Sequence, residues 1–175
     1  MSTNYTMMTI GAFTILMTIL QNFYSLLGIT GGDVTDAQDM ILATTLATSY
    51  LESAQGLAFD DVTDTTNLAL GSPATLTSPS LLGPEGTGED SLHKFNDFDD
   101  FDGFSIDRAA GSTERRFRTT FRVHYVDPAN VNTVSSSRTF VKRIDVTSWR
   151  SYPPPSGTTL DTLRMSMVMG YFHFD

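Results

Sequence analysis

Four carboxylates fall within six positions at Asp97-Phe98-Asp99-Asp100-Phe101-Asp102, with Gly103 immediately after. Charges this close repel one another, and a hard cation such as calcium, which takes oxygen ligands, would relieve the repulsion. Asp97, Asp99, Asp100 and Asp102 are therefore candidate metal ligands. Their spacing is not that of an EF-hand loop, since Gly103 stands at the wrong offset and no Glu occupies the twelfth place from Asp97. A competing reading starts from Phe95, Phe98, Phe101 and Phe104, which recur at every third position and would anchor this loop on a core. The acids would then simply face water, and on sequence grounds this reading is preferred. A third pairs the acids with Arg108, Arg115, Arg116 or Arg118 of a neighbouring copy.

Little else in the chain offers chemistry. His93, His124 and His173 lie far apart without ligand spacing, and cysteine is absent. No arrangement resembles a nucleophile elbow or a Ser-His-Asp set, and no glycine-rich phosphate loop follows a strand. The expectation is a structural or binding protein, not an enzyme. The charge balance narrows the partners. Up to position 93 there are ten acids and no Lys or Arg, while ten acids and eleven basic residues follow. Phosphate contacts need Lys or Arg, so no nucleic-acid partner is expected.

The elements that position the cluster begin with a segment of another kind. Residues 7–29 contain no charge, and about 20 apolar residues suffice to span a bilayer as a helix. Three readings apply: a cleaved signal, a membrane anchor, or a helix that packs against copies of itself. Signals and anchors favour flanking basic residues, and here the first basic residue is Lys94. Thr14, Thr18, Gln21 and Asn22 interrupt the segment. In a helix bundle they could bond across helices, beside small residues such as Gly11 and Ala12 that permit close approach. Self-packing is preferred, and Phe13, Leu16, Leu20, Gln21, Asn22, Phe23 and Leu27 are its candidate assembly residues.

Gly31-Gly32 predicts a break, with Asp33 as the N-cap of a second helix over 34–55. Met40, Ala43, Ala47, Tyr50, Leu51 and Ala54 form its apolar stripe, suited to lie on a sheet. The chain thus divides into an apolar helix over 1–32 and a head over 33–175. Residues 58–90 read as a long loop, of a length that is usually functional or pinned by neighbours. Residues 116–126, 139–149 and 160–174 read as strands, the first two separated by a turn at Asp127-Pro128-Ala129-Asn130. Phe140, Lys142, Ile144, Val146 and Ser148 share one face of the second strand. A long helix followed by an antiparallel meander is an α+β plan, with the helix on one face of the sheet.

This order of parts resembles the type IV pilin superfamily, including the pseudopilins of type II secretion systems. Gly11-Ala12-Phe13-Thr14-Ile15-Leu16 is similar to the family's processing region. Residues 43–52 and Leu57-Ala58-Phe59-Asp60-Asp61-Val62 look like the helix end common in minor pseudopilins. Tyr125-Val126-Asp127 and Lys142-Arg143-Ile144-Asp145-Val146-Thr147 resemble their paired strands. The sequence departs from the family where Met17 stands at the fifth place from Phe13, usually Glu, and in lacking a basic leader. The resemblance implies a structural subunit of an extracellular, pilus-like filament, membrane-embedded before assembly. Its partners would be identical subunits and a pilus or secretion assembly machinery in the inner membrane. The alternative is a membrane-anchored or filament-tip pseudopilin acting as a binding module. Some pseudopilins hold calcium in loops of the β region, which adds to the case for calcium.

Overall fold

No proline lies within Thr3–Gln55, and the chain forms a single 53-residue helix there, α1. The computed structural model describes residues 3–65, 72–85, 88–110, 114–154 and 162–172, excepting the side chains of 3–4, 30–33 and 65. The expected break at Gly31-Gly32 and the new start at Asp33 do not occur, because α1 continues through them. A helix-interior glycine costs about 1 kcal/mol relative to alanine. Without a proline, two glycines weaken a helix that has good formers on both sides but do not stop it. The chain comprises two compact units, Met1–Met40 and Ile41–Asp175.

In the first unit every described side chain from Tyr5 to Ile29 is exposed. The candidate assembly residues Phe13, Leu16, Leu20, Gln21, Asn22, Phe23 and Leu27 are all among them. By length and composition, α1 is apolar enough to cross a membrane. Thr9, Thr14 and Thr18 are turned back on the helix. Thr14 Oγ1 donates to the Ile10 carbonyl at 2.9 Å and Thr18 Oγ1 to the Thr14 carbonyl at 2.8 Å. The expected interhelical hydroxyl donors are thus engaged in their own helix, and Gln21 and Asn22 carry that expectation further.

In the second unit the last turns of α1 bury Ala43, Ala47, Tyr50, Leu51 and Ala54, the expected stripe without the exposed Met40. They share a core with the inner face of a sheet. The sheet contains β1 (Ser105–Ala109), β2 (Arg116–Asp127), β3 (Asn130–Val134), β4 (Val141–Tyr152) and β5 (Thr162–Gly170). Its order is β1-β2-β4-β5, with β3 pairing the end of β2, and each pairing is antiparallel. The three expected strands are β2, β4 and β5. β1 and β3 were not expected, for a physical reason: β1 is five residues that alternate only weakly, and β3 is exposed throughout. The expected turn closes the β2–β3 hairpin, where Asp127 Oδ1 accepts from the Ala129 amide at 2.9 Å.

Register sets the core. Phe121 lies opposite Val146 and Val123 opposite Ile144, while Met165 and Met167 continue the same rows from β5. Successive strand residues point to opposite faces, so Lys142, Ile144, Val146 and Ser148 all turn inward. Three of those side chains suit a core. The fourth is a lysine, and its burial organises the site.

Candidate functional site

The long connection after α1 is pinned to the Asp-rich turn by backbone contacts. Ala58 bridges Asp97, with Phe98 N–H donating to the Ala58 carbonyl at 2.9 Å. Asp60 and Asp99, two residues beyond each bridge partner, are thereby brought to the same place. A single 3-10 turn over Asp99–Phe101 follows, and its near-threefold period puts residues three apart on one side. Phe98 and Phe101 are accordingly buried, and Phe95, Phe101, Phe104 and Phe121 meet edge-on or stacked at centroid distances of 5.1–6.1 Å. The aromatic anchoring expected from the sequence is present.

The companion expectation, acids facing water, is wrong. Asp97, Asp99 and Asp100 are all fully buried, together with Asp60. Among the described residues, Lys142 is the buried cation that meets them. Its Nζ donates to the Phe59 carbonyl at 2.8 Å, to Asp60 Oδ2 at 2.8 Å and to Asp99 Oδ1. An ammonium has three hydrogens to donate, so these contacts saturate it. The rings of Phe59 and Tyr125 lie 4.7 and 5.3 Å from Nζ and add cation–π attraction. Asp60 is the best satisfied acid: Oδ2 also accepts from the Thr77 amide at 3.0 Å and the Tyr125 hydroxyl at 3.2 Å. Through Thr77 it pins the connection that follows α2 (Asp61–Thr65).

The other acids differ in their partners. Asp97 Oδ1 accepts from the amides of Asp99 and Asp100, and Asp100 Oδ2 from those of Asn96 and Asp97. Asp97 Oδ2, Asp99 Oδ2 and Asp100 Oδ1 are buried with no hydrogen-bond partner among the described residues. Asp102 stands apart: it is only partly buried, and its Oδ1 accepts from the Val123 amide of β2 at 2.8 Å. It continues, by its side chain, the edge that β1 pairs further along β2.

Glu85, which the sequence did not single out, joins this group. Gly83, at φ +119°, lies so close to the turn that an added Cβ would stand 3.3 Å from the Asp102 carbonyl. Two residues later the Glu85 carboxyl is close enough to Asp97 and Asp99 for their oxygens to lie within 4.8 Å of one another. Carboxylate oxygens of Glu85, Glu89 and Asp100 also lie within 4.8 Å of one another. Burial, then the neighbouring Asp97 and Asp100 charges, pushes Glu85 up to about 7. Burial, then Asp99, pushes Asp97 up to about 8 against the opposing pull of Lys142. Burial also raises Asp99 to about 6 although Lys142 opposes it, and burial raises Asp100. Burial and the nearby Asp60 charge raise Tyr125 as well, so it keeps its proton and donates to Asp60.

Two of the arginines expected to pair across copies have an acid partner within their own chain. Arg116 Nε is 2.8 Å and Arg118 Nε 3.7 Å from an Asp107 carboxylate oxygen. His93 is exposed, His124 Nε2 lies 3.3 Å from Asp145 Oδ2, and His173 falls outside the described residues. Asp60, Glu85 and the role of Lys142 were missed from sequence. A signal for the last was present: a lysine on the apolar face of a strand requires a buried acid.

No family model, curated protein or solved structure matches the chain. The fold stands on its own terms as an α+β protein with a long N-terminal helix whose last turns pack on an antiparallel sheet. That plan is consistent with a pilin-like architecture.

Proposed function

We propose that the chain is the structural subunit of an extracellular, pilus-like filament that assembles by self-packing of the segment over 5–29. The observation that carries this reading is the surface of that segment. Ile10, Phe13, Ile15, Ile19 and Phe23 are each more than half exposed, and no charge interrupts them. Apolar surface removed from water contributes about 25 cal/mol per Å², so the segment needs an apolar environment. A bilayer supplies one before assembly and identical helices supply one afterwards. Between those two, packing and the polar groups of Gln21 and Asn22 decide, because lipid is as apolar as leucine. A head-to-tail contact repeated along a screw axis gives an open filament. The partners on this reading are identical subunits and an assembly machinery in the inner membrane. Negative-stain microscopy of the purified full chain after detergent removal tests it. Uniform filaments are expected, and monodisperse particles would contradict it.

The buried acid cluster favours a second reading, a filament-tip or membrane-anchored binding module. Abundance separates the two, since a major subunit dominates sheared filaments and a tip protein is scarce in them.

A further inference from the structure

We infer that the cavity between segments 72–79 and 136–138 binds a small anionic sugar, whose carboxylate or phosphate group is held by Arg138. The cavity measures about 400 Å³ and is lined by Ser72, Ala74, Ser78, Ser136, Ser137 and Arg138, with Pro73 and Pro79 as apolar walls. That volume falls within the range of small-molecule pockets, roughly 300–1,000 Å³. Arg138 carries the inference. Among the described residues its guanidinium makes no hydrogen bond and no ion pair, and its Nε is buried without a partner. Buried polar groups are ordinarily paired. A guanidinium presents five N–H donors in a planar fork that matches the oxygens of a carboxylate or phosphate. No acid lines the cavity, so a cation finds no opposite charge there.

The other lining residues suit the body of such a ligand. Ser72 Oγ accepts from the Ala74 amide at 3.2 Å and keeps its own proton to donate. Each serine hydroxyl can both donate and accept, which matches the hydroxyls of a sugar, while the two prolines can cover its C–H face. Tyr125 holds both walls in place. Its hydroxyl lies 2.8 Å from the Thr77 carbonyl, and its own carbonyl accepts from the Ser135 amide at 2.8 Å. Leu76 is buried against Phe59 and Tyr125 on one side. On the other, Ser135 Oγ donates to the Ser137 carbonyl at 2.9 Å and accepts from its amide at 3.1 Å. A pocket formed in advance loses less to ordering when the ligand enters.

The inference is independent of filament formation, and calorimetry on the detergent-solubilised full chain tests it. The probes are glucuronate, glucose-6-phosphate, neutral glucose and inorganic phosphate. An anionic sugar should bind stoichiometrically, and glucose at least about tenfold more weakly, because a charge-assisted pair is lost. The tighter of the two anionic sugars identifies the anion. Inorganic phosphate should be weaker than glucose-6-phosphate, since it leaves the serines and prolines unused. Arg138→Gln should lower affinity by about tenfold or more without lowering the melting temperature, as no side-chain partner is lost. Ala74→Phe, at an exposed position, should fill the cavity and block binding with Arg138 intact. The site would be overturned if neither anionic sugar bound, if glucose bound as tightly, or if Arg138→Gln bound unchanged. Inorganic phosphate binding as tightly as glucose-6-phosphate would overturn the assignment to a sugar.

Discussion

The two units invert the usual distribution of side chains. Over residues 5–29 the chain exposes Phe, Leu, Ile and Met, and in the second unit it buries four aspartates and a lysine. Each arrangement is costly, and each calls for a different compensation. The helix needs apolar neighbours along its length, whereas the head needs positive charge at one point. The difference teaches where specificity resides. An apolar helix surface accepts many environments, but a buried charge set tolerates almost no change in position or number.

The largest effect should come from charging the first unit. Leu20→Glu or Phe23→Lys places a charge where insertion or bundling costs about 2.5–3.5 kcal/mol per subunit, repeated through every contact of a polymer. Filaments should disappear in micrographs while the fluorescence of Trp149, in β4, still reports a folded head. A filament with normal yield would break the contrast between the units.

The next effect belongs to the head alone. Lys142→Met leaves Asp60 and Asp99 without their cation, and breaking a buried ion pair costs about 3–5 kcal/mol. Denaturant unfolding followed at Trp149 should show that loss. Adding Asp99→Asn to Lys142→Met should recover part of it, because the uncompensated charge then disappears. Strictly additive losses would mean that the two groups are not coupled.

Smaller changes sharpen the picture. Tyr125→Phe removes a hydroxyl whose single proton lies between Asp60 Oδ2 and the Thr77 carbonyl, at 3.2 and 2.8 Å. About 1–2 kcal/mol of stability should be lost, readable in the same unfolding curve. Smallest of all, Thr18→Val in the first unit should leave filament yield nearly unchanged, since that hydroxyl bonds its own helix. Gln21→Leu, by contrast, should alter assembly measurably, as sedimentation of polymer against monomer would show.

Much of the architecture was legible in the sequence because periodicity reports burial directly. The stripe from Ala43 to Ala54 and the alternation of β2 and β4 are local patterns, and local patterns survive folding. The glycine pair misled because glycine is a weak breaker when no proline accompanies it. β3 left no mark because a wholly exposed hairpin strand has no apolar alternation. The site was half legible. The threefold spacing of Phe95, Phe98, Phe101 and Phe104 gave the anchoring of the turn. The burial of the acids did not follow from it, because their cation lies 43 positions from Asp99 in the chain. Only the inward position of Lys142 on β4 pointed to that long-range pairing. Glu85 joined the group through the close approach of Gly83 to Asp102, a backbone contact with no side-chain signature.

Electron cryomicroscopy of the purified full chain, after detergent removal and without added lipid, tests the central claim most directly. The account predicts a helical polymer with residues 5–29 of neighbouring subunits packed together along its axis. A chain that stays monomeric under these conditions, or a polymer whose axis excludes those residues, would contradict it.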